Sequence, residues 1–461
     1  MTEESLNMAD ISLVVKNFRA IHEAHIKING ITVVAGVNGS GKSTLSKLLY
    51  YVFYVTNNFS VSVANVMNQE IRILERAIMY LIQASRTNTS KYIGFRRELE
   101  RVFDSFRDDA LNVESTNNIL RFIDSLSTFL SSYPLDDNEL SRIYRIFNNL
   151  FSKGNTNINI RNEYYNLLSP SIIKRNKLDF GHTQLIEFLK HYVFQIHEAW
   201  NRHLVTRPKQ FLDAEIISAF NTQNKPDYLE VIEYGVPIVS NEAYMQPPFV
   251  IENVIYIDTP MLLGMNEVEH WRHTNNKLGN TLNNYMYSSS ILKLIDSDVL
   301  QGKGLIEYDE NRNCFIFKNS EDTFAIDLED CATGIKAFGI INILLKNGTI
   351  NDKTLLIIDE PETHLHPQWI VEYARLLTLI HKHIGTKIFV VTHNPDMVQS
   401  LKYIPIKENI GDTVTFYNAV STGKNLQYQY NELGDDIHEI FESFNISYDK
   451  LELYGADSNE V

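Results

Sequence analysis

The amino-acid sequence predicts an α/β fold, in which a domain with a mixed β-sheet is interrupted by an all-α insertion domain. Three largely apolar runs, at residues 31–35, 354–358 and 387–391, are typical of strands buried on both faces of a central sheet. In the last third of the chain, strand patterns alternate with helical patterns, which favours parallel strands covered by helices. Between residues 61 and 224 the apolar residues recur instead at three- and four-residue spacing, the period of amphipathic helices.

These patterns divide the chain into a discontinuous sheet domain, residues 1–60 and 225–461, and a helical insertion domain, residues 61–224. The segment 119–129 illustrates the insertion, because its apolar side chains stand at positions 119, 122, 123, 126 and 129. The heptad pattern of a coiled coil does not persist over several repeats, so the sequence does not predict a long coiled-coil arm.

Shorter patterns complete the sheet domain in chain order. The further predicted strands are 11–16, 24–28, 228–234, 254–257, a hairpin of 305–308 with 314–317, and 324–328. Helices are predicted from Lys42, from about Thr333 and over residues 366–384. A short helical tail is predicted from about residue 430, with helices over 435–444 and 448–454.

Composition restricts the classes of function. Of the 461 residues 44% are hydrophobic, enough for a sizeable core, and the formal net charge of −15 argues against a surface that coats nucleic acid uniformly. Cys314 and Cys331 form no CxxC pattern, which argues against a cysteine-based zinc site. The N-terminus lacks the order of a signal peptide and no apolar run is long enough to cross a bilayer. We therefore expect a cytoplasmic protein without a membrane partner.

A phosphate-binding loop stands between the apolar run 31–35 and the helix that begins near Lys42. Its sequence, GVNGSGKS, matches the pattern G-x-x-x-x-G-K-[ST] in the required strand–turn–helix context. The glycines let successive backbone N–H groups point at phosphate oxygens, and the helix N-terminus adds a partial positive charge. Lys42 is expected to reach the β- and γ-phosphates and Ser43 to bind Mg²⁺. The predicted nucleotide-binding residues of this segment are Gly36, Asn38, Gly39, Ser40, Gly41, Lys42, Ser43 and Thr44.

Two further strand ends carry polar residues that suit phosphate chemistry. Asp359 and Glu360 follow a buried strand, at the end of the sheet where ligands of open α/β folds bind. Asp359 is predicted to hold magnesium and Glu360 to orient or deprotonate the attacking water. His393 follows the strand 387–391 and is predicted to reach the γ-phosphate or that water. The predicted catalytic residues are therefore Glu360, His393 and Lys42, and the metal ligands are Ser43 and Asp359.

The order of phosphate loop, LLIIDEP and a strand ending in TH resembles an ABC-type ATPase of the SMC-like and OLD-like (overcoming-lysogenization-defect) kind. The stretch DEPETHLHP, residues 359–367, is especially similar to OLD-like AAA ATPases of bacterial anti-phage defence operons. VTHNPDMV and the ending IFESFNISYDKLELYG resemble the PtuA-like ATPases of Septu and retron-linked systems. The resemblance covers about residues 10–60 and 225–400, and it implies an ABC-ATPase-type P-loop domain that hydrolyses ATP with Mg²⁺.

The resemblance also implies further site residues. Thr333 and Gly334 match the Ser-Gly pair of the signature loop, which caps the γ-phosphate bound to the opposite subunit; an ordinary helix N-cap by Thr333 is the competing interpretation. Arg19 lies in an Asn-Phe-Arg segment that is close to the nucleotide in the family. The segment 362–366 takes the place of the D-loop, with His366 where an aspartate is usual. A Q-loop glutamine is not evident, and Asp258 or Thr259 would stand in its place.

As to function, the resemblance implies a homo-oligomer built from head-to-tail dimers around ATP, which regulates a nuclease partner in anti-phage defence. Only 68 residues follow His393 (461 − 393), which we expect to be too few for the TOPRIM nuclease domain of OLD nucleases. Two alternatives stay open. One is a DNA-repair or chromosome-type ATPase that clamps DNA directly, and the other is an OLD-like nuclease with an active site that the sequence does not reveal.

Overall fold

The computed structural model describes most of the sheet domain and a large part of the helical insertion. The described residues are 10–84, 89–108, 113–132, 182–258, 304–309, 314–319, 325–363, 365–423 and 426–442, with the single positions 138, 142, 143, 145, 146, 274 and 278. The chain forms two compact units. The first comprises Met1–Asn57, Pro226–Asn241 and Gln246–Val461, and the second comprises Asn58–Lys225 and Glu242–Met245.

The first unit is built on a ten-stranded mixed sheet. Its strand order is β5-β4-β1-β2-β13-β12-β3-β11-β10-β6. The strands from β12 to β6 run parallel, whereas β5, β4, β1 and β2 pair antiparallel with one another. β13 joins the two halves, because it is antiparallel to β12 and parallel to β2. The strands of this sheet are β1 Ile11–Phe18, β2 Ile21–Ile28, β3 Ile31–Gly36, β4 Tyr228–Glu233, β5 Val236–Val239, β6 Asn253–Ile257, β10 Thr354–Asp359, β11 Lys387–Thr392, β12 Val414–Ser421 and β13 Tyr428–Leu433.

Burial explains why the central strands were the clearest in the sequence. Every residue of β3, β10 and β11 is buried, since helices cover the sheet where these strands run. The helices of this unit are α1 Lys42–Asn57, α7 Thr333–Lys346, α8 Pro367–Ile384 and α9 Pro395–Lys407. One apolar core joins α7, α8 and α9 to the sheet. The rigid sheet therefore fixes the positions of the loops that follow β3, β10 and β11.

A small separate sheet lies between β6 and α7 in the chain. It consists of β7 Gly304–Asp309, β8 Cys314–Asn319 and β9 Ala325–Asp327, paired antiparallel in that order. This confirms the predicted hairpin and the strand after it.

The second unit is helical in its described part. Its helices are α2 Phe59–Ala84, α3 Thr89–Asp108, α4 Val113–Ser132, α5 His182–Thr206 and α6 Gln210–Ala219. Apolar side chains at helical spacing are buried, for example Ile119, Phe122 and Ile123 in α4. The interior also contains the buried carboxyl group of Glu70 in α2. Tyr192 of α5 donates a hydrogen bond to it. Burial raises the pKa of Glu70, and the hydrogen bond from Tyr192 opposes that rise.

The mixed α/β fold agrees with the sequence prediction. The strand β5 and the helix α9 were not predicted, and further differences lie near the C-terminus. β12 and β13 were not predicted, and β13 occupies residues 428–433, where the sequence placed the start of a helical tail. Residues 438–442 are helical, in agreement with the predicted helix over 435–444, while the predicted helix 448–454 lies outside the described residues.

Within the described parts of the chain, every helix is too short or too polar to cross a lipid bilayer.

Candidate functional site

Three of the predicted motifs meet at one edge of the sheet. β3, β11 and β10 are neighbouring parallel strands, so their carboxyl ends lie side by side. The glycine-rich loop follows β3, Asp359 ends β10, and His393 follows β11. A direct contact joins the first two motifs, because the Ser43 hydroxyl donates to Oδ1 of Asp359 at 3.1 Å.

The glycine-rich loop curls tightly before α1. Gly41 has a φ of +93°, and a Cβ there would lie 3.1 Å from the Ile21 side chain, so both backbone conformation and space favour glycine. Asn38 and Gly39 lie at the exposed crest of the loop, whereas Ser40 is buried. Ser43 and Thr44, in the first turn of α1, remain accessible. The loop can therefore offer backbone N–H groups and side chains to one anion at the start of a helix.

Lys42 is a buried cation inside this loop. Its residue is 4% exposed, and its ammonium donates to the carbonyl oxygens of Gly36 at 2.8 Å and Val37 at 2.9 Å. Burial lowers the pKa of Lys42, an effect that Glu360 and the neighbouring carboxylates oppose. An ammonium group has three donors, so one remains for a phosphate oxygen.

Asp359 is buried and accepts hydrogen bonds from three hydroxyl groups. Ser43 donates to Oδ1, while Ser46 at 3.2 Å and Tyr256 at 2.6 Å donate to Oδ2. Burial raises the pKa of Asp359, and the hydrogen bonds from Tyr256 and Ser43 oppose that rise. Neighbouring oxygen ligands in an octahedral Mg²⁺ shell lie about 3 Å apart, given metal–oxygen distances of about 2.1 Å. The 3.1 Å separation of the Ser43 hydroxyl and Oδ1 of Asp359 fits that geometry.

Tyr256 and Ser46 are site residues that the motif reasoning missed. Tyr256 belongs to β6, the neighbour of β10, and its side chain is fully buried against the ring of Tyr50 at 5.6 Å. Ser46 lies one helical turn after Ser43 on the same face of α1, which the sequence spacing alone could have indicated. Tyr256 carried a weaker signal, since a hydroxyl inside an apolar strand needs a buried partner.

Glu360 and His393 face each other across the ends of β10 and β11. The His393 Nδ1 atom lies 3.3 Å from Oε1 of Glu360 and 3.4 Å from Oε1 of Glu362. Glu360 has a φ of +53°, a conformation that is uncommon for a residue with a side chain, and its N–H donates to the Val391 carbonyl at 2.8 Å. The ring of His393 and the Glu360 side chain are each about 40% exposed, at 40% and 37%, so both can reach a ligand.

The unpredicted strands β12 and β13 pack against the loop. The Tyr430 hydroxyl of β13 donates to the Ser40 carbonyl at 2.9 Å, and burial raises the pKa of Tyr430. On β12, Ala419 is paired with Gly36, where an added Cβ would lie 2.7 Å from the Ala419 Cβ. Glycine is therefore required at the first position of the motif for close packing.

Arg19 lies in the β1–β2 turn, which borders the same loop. Its neighbours Ala20 and Ile21 lie close to Gly41, and Arg19 itself is exposed with a φ of +52°. The structure thus places the arginine in a turn beside the glycine-rich loop.

Thr333 and Gly334 form the first turn of α7 and lie on a different element from the glycine-rich loop. Ala332 is the N-cap residue and makes no side-chain cap hydrogen bond, so the competing interpretation of Thr333 as an ordinary N-cap is wrong. Side-chain atoms of Leu365 and Trp369 lie near Gly334. The first helical N–H groups have no acceptor within the helix, which suits an anion.

The D-loop and Q-loop segments are only partly described. His366 caps α8, since its Nδ1 accepts from the Gln368 N–H at 3.4 Å, which is a long contact. Asp258 follows β6 directly, two residues after Tyr256, whereas His364 and Thr259 lie outside the described residues.

Comparison with known proteins gives a family and a set of distant folds. The family model described as AAA ATPase domain matches residues 10–398. No curated protein is significantly similar to the chain. Among solved structures, an SMC head domain from Thermotoga maritima aligns at 11% identity with a TM-score of 0.37, covering 93% of this chain and all of that one. An Smc head domain from Pyrococcus furiosus, bound to the C-terminal domain of ScpA, aligns at 10% identity with a TM-score of 0.34, covering 95% of this chain and all of that one.

Proposed function

Because the chain belongs to the AAA ATPase domain family, we propose that it binds ATP with Mg²⁺ at this edge of the sheet and hydrolyses the γ-phosphate. The observation that carries the proposal is the direct contact of 3.1 Å between the Ser43 hydroxyl and Asp359. These two groups lie 316 positions apart in the chain, yet the fold brings them to the spacing of two ligands of one small cation.

Each motif has a separate task in this proposal. The loop N–H groups and the third donor of Lys42 bind the β- and γ-phosphates, with Asn38, Thr44 and Arg19 around them. Ser43 and Asp359 would hold Mg²⁺, which would neutralise charge on the phosphate oxygens. Glu360 orients or deprotonates the attacking water, and His393 contacts the γ-phosphate or that water. Catalysis then rests on positioning and charge stabilisation, as expected for phosphoryl transfer.

The direct test is calorimetric titration of the purified protein with ATP, with Mg²⁺ and with EDTA. We expect saturable ATP binding that is stronger with Mg²⁺ than with EDTA, together with release of inorganic phosphate. Absence of any Mg²⁺-dependent ATP uptake would overturn the proposal.

Replacing Tyr256 by phenylalanine is expected to weaken magnesium binding while leaving the fold intact. The substitution keeps the buried ring but removes the donor to Oδ2 of Asp359, and loss of such a supporting hydrogen bond costs about 10-fold to 100-fold in metal affinity. The Mg²⁺ concentration required for half-maximal ATP binding should therefore be about tenfold or more higher than in the wild type. The control is Tyr373→Phe, at an equally buried tyrosine of α8. An unchanged Mg²⁺ requirement in Tyr256→Phe would show that this hydrogen bond does not orient the carboxylate.

We further propose an ABC-type, head-to-tail dimer in which Thr333 and Gly334 of one subunit complete the nucleotide site of the other. Support comes from the uncapped start of α7, whose N–H groups suit a γ-phosphate, and from the sequence resemblance. Higher oligomers would be built from such dimers.

Gly334→Asp is expected to abolish ATP-dependent dimerisation without unfolding the chain. A Cβ at Gly334 makes only ordinary contacts, the nearest at 3.4 Å, and an acidic residue is favourable in the first turn of a helix. Its charge would nevertheless repel a phosphate. In sedimentation velocity with ATP, the Glu360→Gln variant should be a dimer, and the double variant Glu360→Gln with Gly334→Asp should be a monomer. The control is Gly94→Asp in the same Glu360→Gln background, at a position with open space around it, and it should remain a dimer. Dimers that persist in the double variant would refute this interface.

The proposed biological role is control of a nuclease partner in anti-phage defence, and it rests on the resemblance of DEPETHLHP and VTHNPDMV. The two alternatives have different signatures in solution. Salt-dependent DNA binding with DNA-stimulated ATP turnover would favour a DNA-clamping ATPase. Metal-dependent nucleic-acid cleavage by the isolated chain that survives Lys42→Ala would favour a nuclease.

A further inference from the structure

Glu362 is a buried carboxylate at the start of the predicted D-loop segment, and no individual role was predicted for its side chain. It stands in the turn after β10, and its side chain is only 5% exposed. Burying a carboxylate is costly unless hydrogen bonds compensate, so its partners indicate what it is for. Burial raises the pKa of Glu362, which the hydrogen bonds with Thr392 and His393 oppose.

All three side-chain contacts of Glu362 that matter here come from the end of β11. Its Oε1 atom accepts from the Thr392 hydroxyl at 2.7 Å and from the His393 N–H at 3.0 Å. The same oxygen lies 3.4 Å from Nδ1 of the His393 ring, a buried atom that approaches the carboxylate without forming a hydrogen bond of good geometry. One carboxylate oxygen thus contacts both the backbone and the ring of the histidine.

This arrangement determines which side of the imidazole faces outward. Nδ1 and Nε2 point outward from the imidazole in divergent directions. When Nδ1 faces Glu362 and Glu360, Nε2 therefore points away from both carboxylates. The His393 side chain is 40% exposed, which leaves that side accessible to a phosphate oxygen or a water molecule.

We infer that Glu362 is a positioning residue that fixes the His393 backbone and keeps the Nδ1 proton of its ring directed at the carboxylates, so that Nε2 meets the γ-phosphate. The inference rests on the proposed ATPase function. If Glu362 only stabilised the turn, its hydrogen bonds from the Thr392 hydroxyl and the His393 N–H would be sufficient. The additional role in positioning the imidazole is inferred from the approach of the His393 ring to the same oxygen.

The kinetic test compares Glu362→Gln, His393→Ala and the double variant in the full-length protein. Glutamine retains an oxygen that can accept hydrogen bonds from the Thr392 hydroxyl and the His393 N–H. The turn therefore keeps both hydrogen bonds while the negative charge is lost. We expect kcat to fall at least about tenfold with KM for ATP within about threefold, since the contact acts on the reaction step. In the His393→Ala background, Glu362→Gln should lower kcat less than about twofold, because Glu362 acts through the histidine. Glu372→Gln, in the neighbouring helix α8, is the control.

A spectroscopic readout keeps the inference testable if a variant is unstable. In ¹⁵N-histidine-labelled protein, the His393 resonance is identified by its loss in His393→Ala, and its Nδ1 should be protonated in the wild type. An unprotonated Nδ1, a wild-type kcat in Glu362→Gln, or an equal loss in the His393→Ala background would each overturn the inference. If the wild type neither binds nor hydrolyses ATP, the proposed function fails instead, and the ¹⁵N spectrum still tests the ring orientation.

Discussion

Lys42→Ala is expected to weaken ATP binding by at least about tenfold. The ammonium is buried within the loop that would surround the phosphates, so its remaining donor acts where competing water is scarce. A charge-assisted hydrogen bond to a phosphate is worth about 1.5–3 kcal/mol, and loss of the one that Lys42 can still make corresponds to a Kd about 10-fold to 150-fold higher. Calorimetry with Mg²⁺ and ATP is the measurement, and phosphate release should fall to background in parallel.

Two controls separate loss of the charge from loss of the fold. Lys42→Met keeps most of the side-chain volume and should be as inactive as the alanine variant, with a thermal unfolding midpoint close to that of the wild type. Lys353→Ala removes a lysine that pairs with Glu252 at the opposite, N-terminal end of β10 and should bind ATP normally. Wild-type ATP affinity in Lys42→Met would contradict the assignment of the glycine-rich loop as the phosphate site.

The sheet was predictable from sequence where burial is complete and less so where pairing is long-range. β3, β10 and β11 are largely apolar in sequence because both faces are covered. β12 and β13 have mixed burial, and β12 takes its place beside β3 through a partner some 380 positions away in the chain. In β13 the alternation of the buried Tyr428 and Tyr430 is a short strand signal, but its place between two halves of the sheet depends on pairing with distant strands.

The same contrast holds for the candidate site. Lys42, Asp359 and His393 could be placed because each follows a buried strand and motif spacing assigns a task to it. Tyr256 and Glu362 could not, because their roles depend on a neighbouring strand or turn that only the folded chain provides. The physical rule that would have found them is the same for both, since a buried polar group within an apolar environment needs a partner.

Glu360→Gln is expected to block hydrolysis while preserving ATP binding. Glutamine has the same shape and the same backbone demands at a φ of +53°, so the turn after β10 should not change. It cannot take a proton from water, however, and loss of a general base lowers kcat on the order of 10²–10⁴-fold. ATP affinity should stay within a few-fold of the wild type, because the phosphate contacts come from the glycine-rich loop.

The trapped state makes this variant informative about assembly as well as chemistry. A protein that binds ATP but cannot hydrolyse it accumulates the ATP-bound form, and if that form favours a dimer or a partner, mass action shifts the population toward it. Sedimentation velocity and co-purification should therefore show larger assemblies for Glu360→Gln with ATP than without it. Glu408→Gln, which removes a surface carboxylate paired with Lys382, should behave as the wild type in both assays.

If Glu360→Gln hydrolyses ATP at the wild-type rate, another group activates the water. If it retains ATP yet has the same oligomeric state and partners as the nucleotide-free protein, ATP occupancy does not control assembly, because a ligand shifts only those equilibria whose two states it binds with different affinity.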